Sequence, residues 1–181
     1  AASGGAVEAY EFMPDDFTRR LAQVRPDLAS PLGVVPVTIL AELATTGPGD
    51  AQALLEQVLA DVIEAGEVDD ALVAQNARER AAFWARRETA AELCLDFEPM
   101  VDTDIALPLG RFVAGLEAIT QAVLALDPGA ERVIVAHLGD GNIHYTVRAG
   151  RDDPAHLAAI RAAIEATAIA QGGTFSAEHG I

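Results

Sequence analysis

The chain has 181 residues, 51% of them hydrophobic, with 15 glycines, 9 prolines and no low-complexity tract, which leaves room for one domain with a real core. Its 28 acids against 12 basic residues give a formal net charge of -16, which argues against binding nucleic acid or an anionic membrane, because counterion release needs clustered cations. Every cation is arginine, so these residues offer no Schiff-base amine, no lysine general base and no Walker-type phosphate lysine.

A strand is expected over 7–13, beginning without any lead-in. At Pro14-Asp15-Asp16 a helix starts, with proline and two acids suiting its first turn, and Phe17, Leu21 and Val24 mark its buried side. The run 34–43 reads as a strand that tolerates Pro36 near its start or on an edge. Gly47-Pro48-Gly49-Asp50 is a loop ending in an N-cap; Leu54, Leu55, Val58, Leu59, Val62 and Ile63 form a helical stripe that Gly66 ends. A short strand at 71–74 and a charged helix over 76–93 follow.

Beyond them come a strand at 101–107 and a helix at 109–126 with Phe112, Leu116, Ile119, Val123 and Leu126 on one side. Two strands, 132–138 and 143–148, flank a tight loop. A helix opening at Asp153-Pro154 carries Leu157, Ile160 and Ile164 and stops at Gly172-Gly173, before a last strand at 174–178. Strand, helix, strand, strand, helix, strand is the ferredoxin-like split unit, so the fold class is α+β with a mixed or antiparallel sheet covered by helices. Both ends read as continuing into a longer protein. No uninterrupted apolar run reaches the ~18 residues that cross a bilayer, and a single cysteine, Cys94, suits a reducing, cytoplasmic setting.

The chemistry concentrates in His137-Leu138-Gly139-Asp140-Gly141-Asn142-Ile143-His144. Glycine with Asp and Asn between β-rich runs marks a hairpin. With a loop of Gly139 to Asn142, His137 stands opposite His144. Alternation then puts Ile134, Ala136, Leu138, Ile143, Tyr145 and Val147 in the core, and Val133, Val135, His137, His144, Thr146 and Arg148 on the other face. Two facing imidazoles can converge on one cation, and Glu178 is the natural third ligand, with His179 beside it. Two histidines and a carboxylate suit zinc first, and manganese or ferrous iron equally by geometry. A plain polar sheet surface is the competing reading. His156, in the first turn of a helix, is expected to be solvated.

The histidine hairpin and Ser176-Ala177-Glu178-His179-Gly180-Ile181 together resemble the C-terminal domain of the FAD-linked oxidases, a group that includes D-2-hydroxyglutarate dehydrogenase, D-lactate dehydrogenase and the glycolate oxidase flavin subunit. Phe83-Trp84-Ala85-Arg86-Arg87-Glu88 is similar to that family's Trp-x-x-Arg-Glu helix, Asp104-Ile105-Ala106-Leu107-Pro108 to its strand end, and Val7 to Met13 to its first strand. The resemblance covers nearly the whole chain. It implies metal ligands at His137, His144 and Glu178, a proton-abstracting His179, a substrate-carboxylate arginine at Arg87 and a substrate-lining Asn142. It also implies an FAD-dependent oxidation of a D-2-hydroxy acid to the 2-oxo acid, with an N-terminal FAD-binding domain as partner, no nucleic acid and an open question of homodimerisation. Many members carry lysine six residues before the strand-end proline, where this chain has Asp102; an acid there would repel a second substrate carboxylate. Read without the resemblance, Arg78, Arg80, Arg86 and Arg87 interleaved with Glu79 and Glu88 look like a solvated helix face. A stand-alone metal hydrolase and a non-catalytic assembly domain are the alternative functions.

Overall fold

In the computed structural model the described residues are 6–44 and 50–176. They form β1 (Val7–Pro14), α1 (Asp15–Val24), β2 (Val37–Leu43), α2 (Ala51–Glu64), α3 (Ala77–Glu88), α4 (Ala90–Leu93), β3 (Met100–Ala106), α5 (Phe112–Leu126), β4 (Glu131–His137), β5 (Asn142–Arg148) and α6 (Pro154–Ala170). The strands make one antiparallel sheet in the order β2-β1-β4-β5-β3. Within it β5 lies between β3 and β4, as the split unit requires. The fold is α+β, as the element order implies.

Alternation gives the sheet two buried faces. On one, Phe12, Val101, Ile105, Ile134, Ala136, Ile143, Tyr145 and Val147 pack against Phe112, Ile119 and Val123 of α5 and Ile160, Ile164 and Ala168 of α6. On the other, Met13, Val133 and Val135 pack against Phe17 and Leu21 of α1 and Leu93 and Phe97 near α4. Each fully buried Phe, Leu or Ile contributes roughly 1.5–3 kcal/mol. α1 and α4 cover only part of this second face, and polar side chains occupy its other end. Val133 and Val135, on the face that carries His137 and His144, thus belong to a second core.

Several boundaries differ from expectation. No strand forms at 71–74. The expected 76–93 helix divides into α3 and α4 at Thr89, whose hydroxyl donates to the Ala85 carbonyl at 2.6 Å instead of leaving the helical ladder undisturbed. Leu126 is exposed. The last strand is reduced among the described residues to one antiparallel bridge, Thr174 with Ala106, at the β3 edge where the split unit needs it. Leu109–Leu126 is, among the described residues, the one segment long and apolar enough to cross a membrane, and in this fold one side of it joins the core.

His156 is not solvated. It is 7% exposed, its Nε2–H donates to Asp127 Oδ2 at 2.9 Å, and its Nδ1 accepts from Arg151 at 2.8 Å. Asp127 also accepts from the backbone N–H groups of Gly150 and Gly129. The pair ties the turn after α5 to the start of α6. The hydrogen bond from His156, with those backbone donors, holds the Asp127 carboxyl below its ordinary range.

Candidate active site

The hairpin builds the site. Gly141 has φ of 82°, and a Cβ there would lie 2.1 Å from the Leu107 carbonyl oxygen, so only glycine fits. Its N–H donates to the His137 carbonyl at 2.9 Å, its own carbonyl accepts from Leu107 N–H at 3.0 Å, and Asp140 Oδ1 accepts from Asn142 N–H at 3.0 Å. The loop is therefore 138–141, and His137 pairs with Asn142, Val135 with His144. The expected register is two residues out. An even slip leaves every side chain on its own face, so the predicted faces survive. His137 and His144 become diagonal neighbours. Their rings meet edge to face with centroids 5.4 Å apart and Nε2 atoms 3.4 Å apart.

Glu11 stands opposite His137 across β1 and β4 and is 5% exposed. Its Oε1 lies 2.8 Å from His137 Nδ1, and its Oε2 accepts from Arg87 Nε at 2.6 Å. Arg87 Nη2 lies 3.3 Å from His137 Nε2. A guanidinium can only donate, so Nε2 accepts, and the ring proton sits on Nδ1 facing Glu11. His144 Nδ1 lies 3.9 Å from Asp104 Oδ1 on the adjacent strand.

Arg87 reaches this place because α3 crosses the sheet. Arg80, Trp84 and Arg87 share one helical stripe. Glu42 on β2 accepts from Arg80 Nε at 2.9 Å and from Trp84 Nε1 at 2.5 Å. The Arg80 guanidinium, with the indole N–H, holds the Glu42 carboxyl below its ordinary range. At the start of the helix Asn76 caps the Glu79 N–H at 3.0 Å, and Arg86 Nε donates to the Leu28 carbonyl at 3.0 Å. The side chain of Arg87 is only 13% exposed, so the solvated-face reading fails for it. Phe83 packs beneath the Arg86 guanidinium.

Asn142 is 2% exposed, and its Oδ1 and Nδ2 have no hydrogen-bond partner among the described residues. A buried amide left so costs about 1–3 kcal/mol unless something bonds it. Between β1 and the hairpin, Glu8, Ala9, Tyr10, Glu11, His137, Gly139 and Asp140 line a cavity of about 280 Å³. Further along the same face Asp102 is exposed and accepts from Thr146 Oγ1 at 2.7 Å, and burial pushes the neighbouring Cys94 thiol up. Of the expected site residues, the fold brings His137, His144, Arg87 and Asn142 together. Glu178 and His179 lie outside the described residues.

The chain matches the family described as FAD linked oxidases, C-terminal domain, over residues 1–181. It belongs to that family. It is 30% identical over 179 residues to the mitochondrial D-2-hydroxyglutarate dehydrogenase of Bos taurus, covering 98% of this chain and 32% of the relative. It is also 30% identical over 184 residues to the D-2-hydroxyglutarate dehydrogenase of Stutzerimonas stutzeri strain A1501, covering 97% of this chain and 38% of the relative. A probable mitochondrial D-2-hydroxyglutarate dehydrogenase of Oryza sativa subsp. indica is 27% identical over 180 residues. The chain thus spans about a third of the length of these curated relatives.

For this C-terminal domain the donor chemistry suits a metal in part. Two imidazole nitrogens each ~2.1 Å from one tetrahedral cation lie about 3.4 Å apart, the separation found here. Glu11 sits 2.8 Å from His137 Nδ1, the arrangement that directs Nε2 at a metal, whereas Asp104 lies 3.9 Å from His144 Nδ1, beyond hydrogen-bond distance. No group of three His, Cys, Asp or Glu side chains with metal-binding geometry occurs among the described residues. Sequence reasoning missed Glu11, Asp104 as a ring partner and Glu42. The signal for Glu11 was a carboxylate set directly before the apolar pair Phe12-Met13 of β1.

Proposed function

We propose that this domain supplies the substrate and metal side of an FAD-dependent enzyme that oxidises a D-2-hydroxy acid to the 2-oxo acid. The observation that carries the reading is the convergence of His137, His144 and Arg87 on one patch of sheet, with the unpartnered Asn142 amide beside them. His137, His144 and Glu178 would hold a divalent cation, zinc first, manganese or iron as alternatives. The FAD would be held mainly by an N-terminal domain of the longer protein.

Arg87 orients the substrate carboxylate. Its planar fork matches a carboxylate, and among the described residues its contacts use Nε and Nη2. Asn142 offers an amide to the bound acid. His179 takes the hydroxyl proton as general base while the α-hydrogen departs with its electron pair, which leaves the 2-oxo acid. When bound, the metal supplies Lewis acidity at the hydroxyl and the flavin supplies the hydride acceptor.

The substrate is a 2-hydroxy monocarboxylate. Relatives are named for hydroxyglutarate, a dicarboxylate, but Asp102 stands on the site face and would repel a second carboxylate. A reducing, cytoplasmic setting fits the lone Cys94 thiol. The test is flavin reduction by D-lactate and by D-2-hydroxyglutarate in the full-length protein, before and after metal removal. We expect D-lactate to have the higher kcat/KM and chelation to abolish reduction. Metal-stripped protein that reduces its flavin at the original rate would overturn the metal assignment, and a preference for hydroxyglutarate the substrate assignment.

A further inference from the structure

We propose that Glu11 is a positioning residue that sets the metal-facing tautomer of His137 and the aim of Arg87 with one carboxylate. The inference rests on the metal and substrate reading above. Glu11 is buried, and among the described residues two donors meet its carboxylate: His137 Nδ1 on Oε1 at 2.8 Å and Arg87 Nε on Oε2 at 2.6 Å. Each oxygen serves a different partner. The Oε1 contact keeps the proton on Nδ1, so Nε2 is left as the ring's acceptor, 3.3 Å from Arg87 Nη2 and 3.4 Å from His144 Nε2. The Oε2 contact fixes the guanidinium by its Nε edge and leaves Nη2 turned toward His137.

A single carboxylate therefore couples two functions that the sequence keeps 50 residues apart, metal affinity at His137 and substrate affinity at Arg87. Glutamine cannot replace it. One amide has one acceptor and one donor end, whereas both partners here present N–H groups. If the amide nitrogen faces His137, the ring must carry its proton on Nε2 and loses the lone pair. If it faces Arg87, two donors collide and the guanidinium must move.

The experiment uses the full-length flavoprotein with Glu11→Gln, Glu11→Asp, Arg87→Ala and the Glu11→Gln/Arg87→Ala double variant. Zinc affinity is read by competition with a chromophoric chelator, and KM and kcat are read by flavin reduction. Glu11→Gln is expected to weaken zinc binding by on the order of 10–100-fold and to raise KM several-fold. In the Arg87→Ala background it should add no further rise in KM while still weakening zinc. A merely structural glutamate would lower thermal stability without that split. Unchanged zinc affinity and KM in a folded Glu11→Gln protein would overturn the proposal. If that variant does not fold, Glu11→Asp, which keeps the charge but is too short to reach both partners, must lose one or both affinities or the proposal fails. Wild-type protein that binds no zinc, manganese or iron would instead sink the metal reading itself.

Discussion

The Nε2 atoms of His137 and His144 face each other at 3.4 Å although the two residues are not ladder partners; the diagonal of the hairpin brings them together. That diagonal makes the site depend on hairpin register and on little else in the loop. Replacing His144 with alanine removes one converging nitrogen from a half-buried position whose neighbours remain packed. In the full-length enzyme His144→Ala is expected to lose both metal and flavin reduction while unfolding within a few degrees of wild type. Metal content by elemental analysis and a thermal melt check both halves.

Gly141 fixes that register. Alanine there would take a left-handed conformation costing about 1–3 kcal/mol, and its Cβ would strike the Leu107 carbonyl. Gly141→Ala is expected to destabilise the protein by more than the backbone cost alone and to weaken metal binding through the displaced His137. Urea denaturation gives the first and metal titration the second. A substitution at Gly139, whose Cβ would meet nothing within 4 Å, is the matched control and should be mild.

The same hairpin shows what a sequence discloses. Period-two alternation made both sheet faces legible, because a shift of two residues changes partners without changing faces. Loop closure against Leu107, a residue 34 positions earlier, decided the register, and no local pattern carries that information. Arg87 illustrates the same limit. Four arginines interleaved with acids are indistinguishable in sequence from a solvated stripe. Only the docking of α3 across β2 and β1 separates Arg80, clasped by Glu42, from Arg87, buried on Glu11. His156 was misplaced for the converse reason, since its partner Asp127 lies at the end of a different helix.

Trp84 anchors the helix that carries Arg87. Phenylalanine keeps most of the packing and deletes the N–H that donates to Glu42 at 2.5 Å. A hydrogen bond to a charged acceptor contributes roughly 1.5–3 kcal/mol, and Arg80 still holds Glu42 in its absence. Trp84→Phe is therefore expected to leave the protein folded and to raise KM for the hydroxy acid more than it lowers kcat. Steady-state kinetics on the full-length enzyme would check this.

Asp16 gives the domain a pH dependence with an unusual sign. It sits at the start of α1, and burial lifts its carboxyl to about 6 despite Arg132 at 3.4 Å and the Phe17 N–H that donates to its Oδ1. A raised carboxyl favours the folded state while protonated. Its contribution is complete below the ordinary aspartate value of 3.8 and is lost as pH rises through about 6. A shift of about two units corresponds to at most about 3 kcal/mol. Asparagine keeps an oxygen that can accept from the Phe17 N–H and does not titrate. The stability of Asp16→Asn relative to wild type is therefore expected to increase between pH 4 and pH 7 by about that amount. Urea denaturation of both proteins across this range measures it, with the other carboxylates cancelling in the difference; a flat difference would mean that Asp16 ionises as easily folded as unfolded.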